Sequence, residues 1–120
     1  MAMRVAFWAA MGITTLVMVA GGVAKLTGHP VAHGVFADLG TPGWVVYAVG
    51  LCELAGAAGL WLRQTSVWAA LGIAGIMLGA IYYHLSFPPL PAGLPALVVL
   101  LSAIFIVNQG GVRRGSGKAG

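Results

Sequence analysis

Four apolar stretches fill most of this chain, separated by short polar or proline-rich links. The first runs from about Val5 to Ala24, the second from Gly43 or Trp44 to Leu62, the third from Val67 to about Phe87 and the fourth from Ala92 to Val107. None alternates apolar with polar residues, which sets aside the strands of a membrane β-barrel. At 1.5 Å rise per residue, a helix of roughly 20 residues crosses a ~30 Å hydrocarbon core. The link Arg63-Gln64-Thr65-Ser66 and the link Pro88-Pro89-Leu90-Pro91 are short, so the helices they join are antiparallel neighbours. Ser66 is placed to cap the third span. Pro95 falls in the first turn of the fourth, where proline is tolerated. The pattern predicts an all-α fold, a four-transmembrane-helix up-down antiparallel bundle. It forms one membrane domain over residues 1–108, followed by a flexible basic tail at 109–120.

The segment from Leu26 to Pro42 breaks the pattern. Pro30 suits the first position of a helix. Val31, Val35 and Leu39 follow at i, i+4 and i+8 and make an apolar stripe. Gly40 ends the helix and Thr41-Pro42 separates it from the second span. The reading is a short interfacial helix on the outer side, either a cap on the bundle or a lid over a pocket.

Composition fixes the setting. The chain has 120 residues, 60% hydrophobic and only 7% charged, with a mean hydropathy of +0.98. A soluble domain carries about a quarter charged residues. The basic balance does not point to nucleic acid, because the cations stand at span ends, where they orient a membrane protein. Arg4, Arg63, Arg113, Arg114 and Lys118 share one side, and Lys25 stands on the other. This bias predicts a multi-pass protein of the cell membrane with both termini in the cytoplasm and the lipid bilayer as first partner. Arg4 before an apolar run also resembles a signal peptide, but the run is too long and Ala20 to Lys25 is a poor cleavage site.

Glu53 is the most informative residue. It is one of two acids in the chain, and it lies near the middle of the second span. A carboxyl at membrane depth is costly unless partnered, and such residues are functional candidates by default. With the outer ends of the spans aligned, Glu53 lies about 13 Å deep, level with Thr15, Ser102 and Met77. Thr14, Thr15 and Ser102 can donate hydrogen bonds to it. His84 and Tyr47 lie about 5 Å deep, with Tyr82 and Tyr83 beside the histidine. Lys25 ends the first span and can reach inward or snorkel outward. Glu53, His84 and Lys25 are thus the candidate catalytic residues, in a polar column. Tyr47, Thr15, Met77, Tyr83 and Ser102 are the candidate ligand-binding residues. A direct Glu53–His84 hydrogen bond is not expected, so Lys25, a water or a ligand has to bridge them.

Other features point away from specific chemistry. His29 and His33 have the i, i+4 spacing of metal ligands, but Pro30 intervenes and only Asp38 is at hand as a third, so neither metal nor haem is predicted. Cys52 is the only cysteine, which excludes an intramolecular disulfide relay; it reads as a small packing residue. Gly72, Gly75 and Gly79 on the third span, and Cys52, Gly56 and Gly59 on the second, make small-residue faces. These faces serve packing within the bundle or a homo-oligomer.

Four segments carry a family resemblance: Gly21-Gly-Val-Ala-Lys25-Leu26, Val35-Phe-Ala-Asp-Leu-Gly-Thr-Pro42-Gly-Trp44, Gly50-Leu-Cys-Glu53-Leu-Ala-Gly56-Ala-Ala-Gly-Leu60 and Met77-Leu-Gly-Ala80-Ile-Tyr-Tyr-His84-Leu. Over about residues 10 to 105 the chain resembles the DoxX-like family of small four-helix membrane proteins. Lys25, Glu53 and His84 match the family's recurring polar positions, none with an established catalytic role. The family's named member is a subunit of a thiosulfate:quinone oxidoreductase. The resemblance therefore implies a membrane subunit of a quinone-linked redox complex with a redox protein partner and quinone as the ligand. Two alternatives stand beside it. One is a non-catalytic membrane binding or assembly module. The other is a small membrane enzyme in which Glu53 does acid/base chemistry on an apolar substrate.

Overall fold

The computed structural model describes residues 2–87 and 90–111. Helix α1 spans Ala2–Leu26, the short α2 Pro30–Asp38, α3 Gly43–Leu60, α4 Ser66–Ser86 and α5 Leu94–Asn108. A single 3-10 turn, Leu90–Gly93, precedes α5. Helices α1, α3, α4 and α5 pack as a closed ring, each against two neighbours. Four helices, including the stretch Pro91–Asn108 at the end, are long and apolar enough to cross a membrane. Among the described residues the chain is all-helical with four candidate spans, as a multi-pass membrane protein requires.

Its surface agrees with that setting. Leu16, Trp68 and Leu85 are each about 70% exposed, which suits lipid and not water. The core is a column of Phe7, Met11, Met18, Leu60, Ile73, Val99 and Ile106. In a bilayer such packing is held by close van der Waals contact between well-matched surfaces.

The turns are built locally. Gly28 and Gly40 adopt φ of +79° and +71°. Both stand just past a helix end, where the left-handed conformation lets later amides reach back to orphan carbonyls. His29 N–H bonds Ala24 O at 2.9 Å, and Thr41 N–H bonds Phe36 O at 3.2 Å. Pro30 opens α2 as its spacing predicts, and His29 Nδ1 accepts from Val31 N–H at 3.2 Å. The apolar stripe on α2 is displaced, however. Val31 is 72% exposed, and the covered side is Ala32, His33, Val35 and Phe36.

Three local readings change. The second span ends at Leu60, with Trp61 as its cap. Ser66 is the first residue of α4 and not its N-cap, which is Thr65. Both hydroxyls turn backward: Thr65 Oγ1 donates to Gly59 O at 2.9 Å and Ser66 Oγ to Leu60 O at 2.7 Å. They satisfy two of the last carbonyls of α3, which have no partner within the helix. Cys52 is exposed and does not pack in the core. At the C-terminal end, Gln109 and Gly110 form a turn and Gly111 is buried beside Ser66. The remainder of the basic tail, 112–120, and Pro88-Pro89 in the proline link lie outside the described residues.

Candidate functional site

Two glycines bring α1 and α3 together. A Cβ on Gly22 would fall 2.9 Å from Gly50 O, and a Cβ on Gly50 would fall 2.9 Å from Lys25 Cβ. Only residues without side chains allow helix backbones to cross this closely. Next to the crossing, a Cβ on Gly21 would lie 3.0 Å from Glu53 Oε2. Gly22 and Gly50 thus let the helices cross, and Gly21 leaves the space into which Glu53 folds.

The crossing sets Lys25 over Glu53. Lys25 Nζ lies 2.6 Å from Glu53 Oε1, with side-chain exposures of 16% and 3%. Lys25 reaches inward and does not snorkel. Its backbone is fixed as well, since His33 Nε2 donates to Lys25 O at 2.9 Å. A cation in the last turn of α1 also meets the negative end of that helix's dipole.

Beside the pair lies a cavity of about 360 Å³. Lys25 closes it from α1, and Val49 and Glu53 from α3. Gly75, Ile76, Met77, Gly79, Ala80, Tyr83 and His84 line it from α4, and Ala32, Val35, Phe36 and Leu39 of α2 roof it. The roof is tied down where Tyr83 Oη donates to Asp38 Oδ2 at 2.6 Å. His84 also lines a second space of about 210 Å³ between α4 and the start of α5. Its Nδ1 is buried without a hydrogen-bond partner, and its Cβ lies against Gly93.

The structure thus brings Lys25, Glu53, His84, Met77 and Tyr83 to one cavity. It does not bring the others there. Trp61 Nε1 donates to Thr15 Oγ1 at 2.9 Å, at the opposite end of α3. Tyr47 is 44% exposed and packs edge-on against His33, with ring centroids 5.1 Å apart. Thr14 is buried with no hydrogen-bond partner for its Oγ1, and Ser102 is half-buried on α5, outside the cavity lining. The layer of hydroxyls expected around Glu53 is not formed. The physical reason is register. Aligning the outer ends of the spans set Glu53 level with Thr15. The glycine crossing sets it level with Gly21, which is six residues or about 9 Å away along the helix.

Sequence reasoning missed Gly21, Gly22 and Gly50 as builders of the site. It also missed Asp38 as the anchor of the α2 roof. Adjacent glycines one turn before an inward lysine were the available signal.

A DoxX-like family profile matches residues 9–107. An uncharacterized protein of Bacillus subtilis (strain 168), YdgD, is 28% identical over 96 residues, covering 75% of this chain and 84% of that protein. No solved structure matches the chain. The matched region takes in the four membrane helices, the α2 roof and the Lys25–Glu53 pair together, and by that match the chain belongs to the DoxX-like family.

Proposed function

We propose that this protein is a membrane subunit of a quinone-linked redox complex and binds the quinone ring beside Lys25 and Glu53. The observation that carries the reading is the cavity of about 360 Å³ with both members of a buried ion pair in its wall. Small-molecule sites of about 300–1,000 Å³ are mostly apolar, with a few placed polar groups. Phe36, Ile76 and Met77 suit the faces of a ring. The Lys25 ammonium donates to a ring carbonyl, and the Glu53 carboxyl passes protons. Conversion of quinone to quinol adds an electron pair and a pair of protons. The electrons come from a partner redox protein, and this chain holds the ring and relays both protons from water to it in turn through the Lys25–Glu53 pair. The setting follows the family resemblance, and the charge bias supports cytoplasmic termini with α2 on the outer side.

The same cavity suits an enzyme acting alone, with Glu53 as acid or base toward an apolar substrate from the bilayer. The partner separates these readings. Tagged protein extracted from its native membrane in mild detergent is expected to bring a stoichiometric redox protein with it. The isolated chain is expected to bind a short-chain benzoquinone, with Lys25→Met and Glu53→Gln each weakening binding about tenfold or more, as loss of a charge-assisted contact requires. A chain that comes alone, with unchanged affinity in both variants, overturns the proposal and leaves a packing or assembly role.

A further inference from the structure

We infer that the cavity is loaded sideways from the bilayer through the cleft between α3 and α4, with Gly75 and Gly79 as its lip. The ligand is a ring-headed amphiphile with one apolar tail, its head at Lys25–Glu53 and its tail lying over the two glycines. This deepens, and rests on, the reading of the cavity as a ring-binding site.

The exposure of α4 residues runs from lip to floor. Gly75 and Gly79 line the cavity yet are exposed, Ile76 and Ala80 are half-buried, and Met77 is buried at the core. The cleft is closed at its other end. There a Cβ on Gly56 would lie 3.1 Å from Ile73, and one on Gly59 would lie 3.1 Å from Ala69. Those glycines serve packing, whereas a Cβ on Gly75 or Gly79 would meet nothing within 4 Å. Glycine inside a helix is less favourable than alanine. Other glycines are as open, Gly12 and Gly72 among them, but Gly75 and Gly79 line the cavity, and a molecule passing over them there would offset that cost.

The occupant follows from the two ends of the groove. The inner end offers a donor and an acceptor side by side at Lys25 and Glu53, which suits a hydrogen-bonding head. The outer end offers bare helix backbone facing lipid, which suits a tail. A volume of about 360 Å³ takes a substituted ring and leaves a long tail outside it. The Tyr83–Asp38 hydrogen bond holds α2 across the water-facing side, so the lipid-facing cleft is the open route for a tailed molecule.

The test uses the purified full chain in lipid nanodiscs, a benzoquinone bearing a decyl tail, and the same head without the tail. Gly75→Leu and Gly79→Leu are expected to unfold no earlier than the parent chain, since space is free at both positions. They are expected to lose at least about tenfold more affinity for the decyl compound than for the tailless head. Loss of both probes alike, or of neither, overturns the lateral path. A parent chain that dimerises through this face, with variants that do not, assigns the glycines to a second copy and overturns it too. A parent chain that binds neither probe brings down the ring-binding reading itself, and the inference with it.

Discussion

Lys25 and Glu53 neutralise each other across 2.6 Å with little of either side chain exposed, and that makes their removal asymmetric. Deleting one partner of a buried ion pair strands the other and costs about 3–5 kcal/mol, whereas replacing both with apolar residues of similar volume is often neutral or stabilising. Lys25→Met alone is therefore expected to lower the midpoint of thermal unfolding in detergent, as is Glu53→Leu alone. The double variant is expected to recover most of the lost stability while still failing to bind ligand. A double variant as unstable as either single one would place the role of these residues in packing shape and not in charge. The sequence made half of this pair legible. An acid inside an apolar run stands out at once, because nothing in hydrocarbon solvates it. Lys25 was ambiguous, since a lysine at a span end reaches in or out with equal ease. What decides the direction is the contact of Gly50 with Lys25 Cβ and of His33 with its carbonyl, both of which depend on tertiary structure.

The helices meet in ways that glycine spacing alone does not reveal. Gly72, Gly75 and Gly79 on α4 form the more obvious small-residue face, yet a Cβ on any of them would meet nothing within 4 Å. The glycines that bring α1 and α3 together are Gly22 on α1 and Gly50 on α3, while Gly56 and Gly59 seat α3 against α4. Spacing shows that residues share a face, but not which neighbour that face turns to. The same gap hid the site's depth: each helix was legible from hydropathy, while the offset between α1 and α3 comes from their crossing. Gly50→Ala tests the crossing. Its Cβ would lie 2.9 Å from Lys25 Cβ and 3.2 Å from Gly22 O, neither of them the far end of a flexible side chain. The gain in helix propensity, about 1 kcal/mol, is expected to be outweighed by separation of the helices, so that thermal stability and ligand binding fall together. Gly12→Ala, with open space around it, is the control and is expected to be neutral or up to about 1 kcal/mol stabilising. Equal stabilisation by both substitutions in thermal unfolding would show that α1 and α3 do not cross closely at Gly50.

At the scale of the whole molecule, the direction of the bundle in the membrane decides which compartment the α2 roof faces. Hydropathy and link length made the four-span bundle legible because both are local properties of the chain. Orientation rests on a different term, the asymmetry of lysine and arginine about the spans. Five of the six cations fall on the side of the termini and the Arg63 link, against Lys25 alone on the other. Single cysteines introduced into a Cys52→Ser background test the consequence. Ala37 on α2 and Gln64 in the Arg63 link are both exposed and both lie clear of the ion pair. A membrane-impermeant thiol reagent applied to intact cells is expected to label Ala37→Cys at once and Gln64→Cys only after permeabilisation. The opposite order would put the Arg63 link outside, and the roof over Lys25 and Glu53 would then face the cytoplasm. Any exchange of protons through the Tyr83–Asp38 side of the cavity would be with that compartment instead.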